Sequence, residues 1–103
     1  MAVTILVQRE MDVEKQEEVF DLLRQLRSRV VLQPGYLSGE TLFSANRSGT
    51  HLVISRWRSL KDWKAWEKST ERWEIISKIE PLLKAPAAVS YYLDSPASVP
   101  EGI

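Results

Sequence analysis

The sequence predicts an α+β fold, a four-stranded antiparallel sheet with helices on one face. Three observations predict it. Four segments rich in apolar and β-branched residues suit strands, the first of them free of breakers. Amphipathic stretches separate the first strand from the second and the third from the fourth. The turn Asn46-Arg47-Ser48-Gly49 joins the middle two strands as a hairpin, with Asn and Gly suited to positive φ. The resulting order, β-α-β-β-α-β, is the ferredoxin-like, split βαβ pattern.

The first strand, Ala2 to Arg9, carries Val3, Ile5 and Val7 on one face and Thr4, Leu6 and Gln8 on the other. Asp12 is placed to cap the helix that follows, with Glu14 in its first turn. Val19, Leu22, Leu23, Leu26 and Val30 then recur at helical spacing, an amphipathic helix of roughly five turns whose charges form a solvated face. Gln33-Pro34-Gly35 ends it, because Pro cannot continue the hydrogen-bond ladder and Gly accepts the cap conformation. Tyr36 to Ala45 and Thr50 to Trp57 form the hairpin strands. Ser59 with Asp62 resembles a capping box and opens a helix bearing Leu60, Trp63 and Trp66. Ser69-Thr70 offers a second cap, so a jog is expected before a helix bearing Trp73, Ile76 and Ile79, which loosens at Pro81. Ala87 to Asp94 is the last strand. Residues 1–94 are therefore expected as one domain, and 95–103, rich in Pro and small residues, as a flexible tail.

Composition narrows the function classes. The 103 residues carry 14 Lys plus Arg against 14 Asp plus Glu, a balance that argues against a nucleic-acid partner. The absence of cysteine removes disulfides, thiolate metal sites and cysteine nucleophiles. No apolar run approaches the ~20 residues of a membrane span, and the first residues lack a basic leader, so a cytoplasmic protein without membrane attachment is expected. No glycine-rich phosphate loop, paired metal-ligand set or Ser-His-Asp constellation is in view, and neither a metal nor a cofactor is expected. Helices on one face leave the other face bare, with Leu6, Leu42 or Phe43, and one parity of the last strand exposed there. A two-fold homodimer pressing these faces together is the expected cover.

All four tryptophans, Trp57, Trp63, Trp66 and Trp73, fall in one short stretch. There the run Arg56-Trp57-Arg58-Ser59-Leu60-Lys61-Asp62-Trp63-Lys64-Ala65-Trp66-Glu67-Lys68-Ser69 resembles the antibiotic biosynthesis monooxygenase (ABM) domain family. The similar features are Trp57-Arg58-Ser59 leaving the third strand, the aromatics Trp63 and Trp66, and Ser69 at the next helix start. Pro34-Gly35-Tyr36 and Pro86, before strands two and four, are also similar, and the resemblance covers about residues 2 to 94. It implies a ferredoxin-like domain pairing into a dimeric α+β barrel. It also implies cofactor-independent oxygenation of an aromatic or quinol-like small molecule. In the haem-degrading branch of these relatives a Trp matches Trp66, but the haem-ligating His falls at Ile76 and a pocket Asn at Val7. Ile cannot ligate iron and Val cannot donate a hydrogen bond, so haem chemistry is not implied. The same comparison implies that Val3, Ile5 and Val7 face the helices.

The site residues chosen on this basis are Trp66, to stack on a flat ring; Arg56, to stabilise a substrate anion; and His51, the single histidine, as a base. The competing readings are a core Trp66, a surface-paired Arg56 and a solvent-exposed strand-end His51. Trp57, Trp63 and Trp73 are expected in the core. A non-catalytic dimeric module that binds a small molecule or a partner on the same scaffold is the alternative to the oxygenase.

Overall fold

The structure, a computed structural model, describes residues 2–96, 98–100 and 102. Its strands are β1 (Val3–Glu10), β2 (Tyr36–Phe43), β3 (Thr50–Trp57) and β4 (Ala88–Leu93). Its helices are α1 (Gln16–Val30), α2 (Leu60–Glu67) and α3 (Thr70–Ile79). Short 3-10 turns precede α1 at Val13–Lys15 and follow α3 at Glu80–Leu82. The sheet order is β2-β3-β1-β4, every pair antiparallel. This is the ferredoxin-like topology expected from the sequence.

Period-two alternation decides which side chains meet the helices. Along β1, Val3, Ile5, Val7 and Arg9 are buried, while Gln8 between them is exposed. The register carries that face across the sheet: Val3 lies opposite Trp57, Val7 opposite Val53 and Arg9 opposite His51. Two apolar clusters result. Val3, Ile5, Val7, Trp57, Trp63 and Trp66 form one, under α2. Met11, Val19, Ile75, Ile76 and Ile79 form the other, where α1 packs on α3. Full burial of each such side chain contributes about 1.5–3 kcal/mol.

Both helix starts read from serines are realised. Ser59 Oγ accepts from Asp62 N at 3.2 Å, and Ser69 Oγ accepts from Arg72 N at 3.1 Å. The first cap is different. Asp12 is extended, makes no side-chain cap bond, and instead pairs with Lys84 at 3.4 Å, so a 3-10 turn intervenes before α1. Trp73 is a correction, being 56% exposed. The break at Ser69 resets the helical phase, and the buried stripe of α3 is Ile75, Ile76 and Ile79 instead, with the half-buried Arg72 one turn before it. The tail expected over 95–103 falls partly on positions outside the described residues. Among the described residues, no helix is long and apolar enough to cross a membrane.

Candidate functional site

A cavity of about 300 Å³ opens between α1 and the inner face of the sheet. Its apolar walls come from Leu23, Leu26 and Val30 of α1 and from Val7 and Val53 of the sheet. Its aromatic walls are Tyr36, Trp57, Trp63 and Trp66 at the α2 side, and Phe20 and Phe43 toward the hairpin end. The rings hold one another edge-on. Tyr36 meets Trp57 at 5.4 Å, Trp57 meets Trp63 at 5.7 Å, and Phe20 meets Phe43 at 5.2 Å. Trp57 Nε1 donates to Ser55 Oγ at 3.1 Å, which fixes that indole. Gly39 helps to keep the space open: a Cβ there would collide with the Tyr36 hydroxyl.

Two arginines interrupt these walls. Arg9 is only 4% exposed and lines the cavity from β1. Arg72 lines it from α3, with its guanidinium 5.5 Å from the Trp63 ring centre, a cation–π distance. Among the described residues neither side chain has an ion pair or a hydrogen bond. Burial pulls the Arg9 pKa down to about 10, helped by the positive charge of Arg72. Burial also lowers Arg72, while Glu67, Glu80 and Tyr91 act in the opposite sense. Both remain cationic at neutral pH. Arg24, Arg27 and Glu40, all exposed, line the cavity where it meets solvent.

The structure brings one of the three sequence-chosen residues to this cavity. Trp66 is buried and forms part of the wall, so it belongs to core and pocket together. Arg56 is not there. Its parity on β3 points it to the opposite sheet face, where it donates to Thr4 Oγ1 at 3.3 Å and pairs with Asp94 at 3.2 Å. That is the surface-paired alternative. His51 is neither exposed nor on the cavity wall. It is 2% exposed, stacked near Phe20 and Phe43, one ring removed from the cavity. Neither of its ring nitrogens has a partner among the described residues. Burial first, and the adjacent Arg9 charge second, pull its pKa down to about 4. It is therefore a neutral and weak base at pH 7.

Arg9 and Arg72 are the residues that sequence reading missed, yet both were visible as violations of pattern. Arg9 continues the parity of Val3, Ile5 and Val7. Arg72 stands at i on a stripe with Ile75, Ile76 and Ile79 at i+3, i+4 and i+7. A charge at a position that periodicity marks as core is the informative kind of exception.

The family model for antibiotic biosynthesis monooxygenase matches residues 2–76. The chain belongs to the ABM family. A curated relative, Protein SchA of Streptomyces halstedii, is 29% identical over 76 residues, 74% of this chain. The match covers 20% of SchA, so this ABM chain spans about a fifth of that relative's length. Solved structures share the ABM fold at low identity. A conserved protein from Methanosarcina mazei superposes with a TM-score of 0.86 at 14% identity, covering 92% of this chain and 94% of that one. SnoaB, a cofactor-independent oxygenase from Streptomyces nogalater, superposes at 0.72 with 13% identity, covering 94% and 96%.

Two positions bear on haem within this ABM chain. Val7 lines the cavity, but Ile76 does not. Ile76, where the haem-ligating His of the relatives falls, packs instead into the second core cluster with Met11 and Val19. Among the described residues no group of His, Cys, Asp or Glu is arranged to hold a metal ion. The arrangement suits a flat, electron-rich, negatively charged guest: rings to stack on it, and fixed cations to hold its charge out of water.

Proposed function

We propose that this protein is a cofactor-independent monooxygenase acting on an aromatic or quinol-like small molecule, and that it works as a homodimer. The observation that carries the reading is one cavity combining an aromatic wall with two guanidinium groups that have no ion pair among the described residues, Arg9 buried and Arg72 half-buried. Such chemistry needs a substrate anion rich enough in electrons to react with O₂ directly. For an anthrone-type ring the balance is simple. A CH₂ group becomes C=O, one atom of O₂ enters the product, and the other leaves as water with both hydrogens.

Each residue has a part in this scheme. Trp66 supports the ring by stacking. Arg9 and Arg72 take the anion-stabilising role first given to Arg56, and their charge lowers the pKa of a bound phenol. That matters because His51 is a poor base behind the aromatic layer, so the cavity favours a substrate acidic enough to ionise in its field. The apolar walls exclude water from the reactive anion. An oxygen electrode and a panel of hydroquinols and anthrones test the reading, which predicts uptake that depends on protein. No uptake across the panel would remove it.

One observation favours the second reading, a non-catalytic binding module. The only carboxylate among the cavity-lining residues is Glu40, and it is exposed. Binding of an aromatic anion without O₂ consumption would decide for that reading.

Homodimer formation is supported by the outer sheet face. Leu42 is 47% and Tyr92 56% exposed there, beside the half-buried Leu6, Leu52 and Ile54. Removing a continuous apolar patch of this kind from water favours pairing with a self-complementary copy.

A further inference from the structure

The cavity holds more positive charge than one reacting oxygen can balance. Four arginines line it, Arg9, Arg24, Arg27 and Arg72, against the single Glu40. The whole chain, by contrast, has a formal net charge of zero. Two of the four have local partners. Arg24 pairs with Asp21, and Arg27 donates to the Gly39 carbonyl at 3.3 Å. Arg9 and Arg72 have none among the described residues; Arg9 is buried and Arg72 half-buried.

Two like charges held near one another without an ion pair are unfavourable for folding; Glu67 and Glu80 attract Arg72 without pairing with it, and an anion bound in the cavity relieves the remainder. A single phenolate or enolate oxygen supplies one negative charge and leaves the second guanidinium unmatched. A carboxylate supplies two acceptor oxygens and suits guanidinium donors in a fixed fork geometry. It is also ionised before it arrives, which suits a cavity whose nearest imidazole is a weak base.

We propose that the ligand of this cavity is an aromatic carboxylic acid, its carboxylate held by Arg9 and Arg72 and its ring stacked on the Trp66 wall. This rests on the reading of the cavity as the substrate site, and it deepens that reading by naming a second acidic group on the substrate. The exposed Arg24 and Arg27 at the mouth draw such an anion in. The cavity's size, about 300 Å³, sets it at the small end of ligand sites.

Isothermal titration at pH 7 with 2-naphthoate and its neutral isostere 2-naphthamide tests this directly. Neither probe is a quinol, so binding is read apart from oxygenation. The wild-type protein should bind naphthoate on the order of tenfold tighter than naphthamide, the size expected of charge-assisted hydrogen bonds. The preference should shrink with added salt and should collapse toward unity in Arg9→Gln and Arg72→Gln. Arg9→Gln should melt no lower than wild type, because it removes a buried unpaired charge. Equal binding of the two probes by wild type overturns the proposal whether or not the variants fold. So does a preference that survives in both variants. Naphthoate selectivity without O₂ uptake from any quinol leaves this inference standing and removes the oxygenase reading alone.

Discussion

His51 shows how a residue's neighbours set its chemistry. It lies opposite Arg9 in the β1–β3 register, is shut away from water, and is pulled down to a pKa of about 4 from the usual 6.5. Folding favours neutral His51, so its contribution to stability is complete above pH 6.5 and is lost as the pH falls through about 4. Arg9 stays charged throughout that window, so the repulsion it exerts is constant. The loss amounts to about 3.5 kcal/mol at most, taking roughly 1.4 kcal/mol per pKa unit. Urea unfolding at pH 7 and pH 4.5 measures it. His51→Gln should lose less stability than wild type between these two values. An equal loss in both proteins would mean that His51 is not what titrates. The tryptophans divide at the same scale. Trp57, Trp63 and Trp66 are core and cavity wall at once, and Trp73 is on the surface.

At the scale of elements, the break between α2 and α3 matters most for the site. Ser69 stops one helix and starts the next, and its Oγ accepts from the backbone N–H of Arg72. The cap therefore fixes the helical phase that turns Arg72 inward and Trp73 outward. Ser69→Ala should cost about 1 kcal/mol, a fall of roughly 4–8 °C in Tm for a chain this size. It should also weaken binding of an aromatic anion. Ser77→Ala, which removes only an exposed hydroxyl bonded within α3, should do neither. A Ser69→Ala protein that melts with wild type would show that the cap does not hold this phase. The caps, the hairpin and the strand order were legible from spacing and turn chemistry. The reset of phase was not carried through from the cap to its consequence. A continuous helix groups Trp73 with Trp63 and Trp66, whereas a helix restarted at Ser69 puts the isoleucines inside.

For the molecule as a whole, one face of the sheet carries the cavity and the other carries the exposed apolar strip. Period-two alternation made both faces legible in β1, and the assignment of Val3, Ile5 and Val7 to the helix side holds. The cavity itself was not legible. Its volume depends on how far α1 stands from the sheet, a distance set by packing between segments remote in sequence. Arg9 and Arg72 each stand out locally as a charge on an apolar stripe, but they are far apart along the chain, and only the fold brings them to one cavity. The choice of Arg56 failed for the related reason that parity on β3 sends it to the outer face. If that outer face joins two copies, Ile54→Glu should give a monomer in sedimentation at micromolar concentration while wild type sediments as a dimer. Identical sedimentation of the two proteins would remove the proposed interface.

Under the proposed function, the Trp66-walled, arginine-bearing cavity oxygenates a bound aromatic anion without a cofactor. The most direct measurement supplies ¹⁸O₂ to metal-free, cofactor-free protein with an anthrone or hydroquinol and follows label in the product by mass spectrometry. The account predicts one ¹⁸O atom per product, formed by wild type and by Lys61→Ala but not by Trp66→Ala. Unlabelled product, or labelled product formed equally by the Trp66→Ala protein, would contradict it.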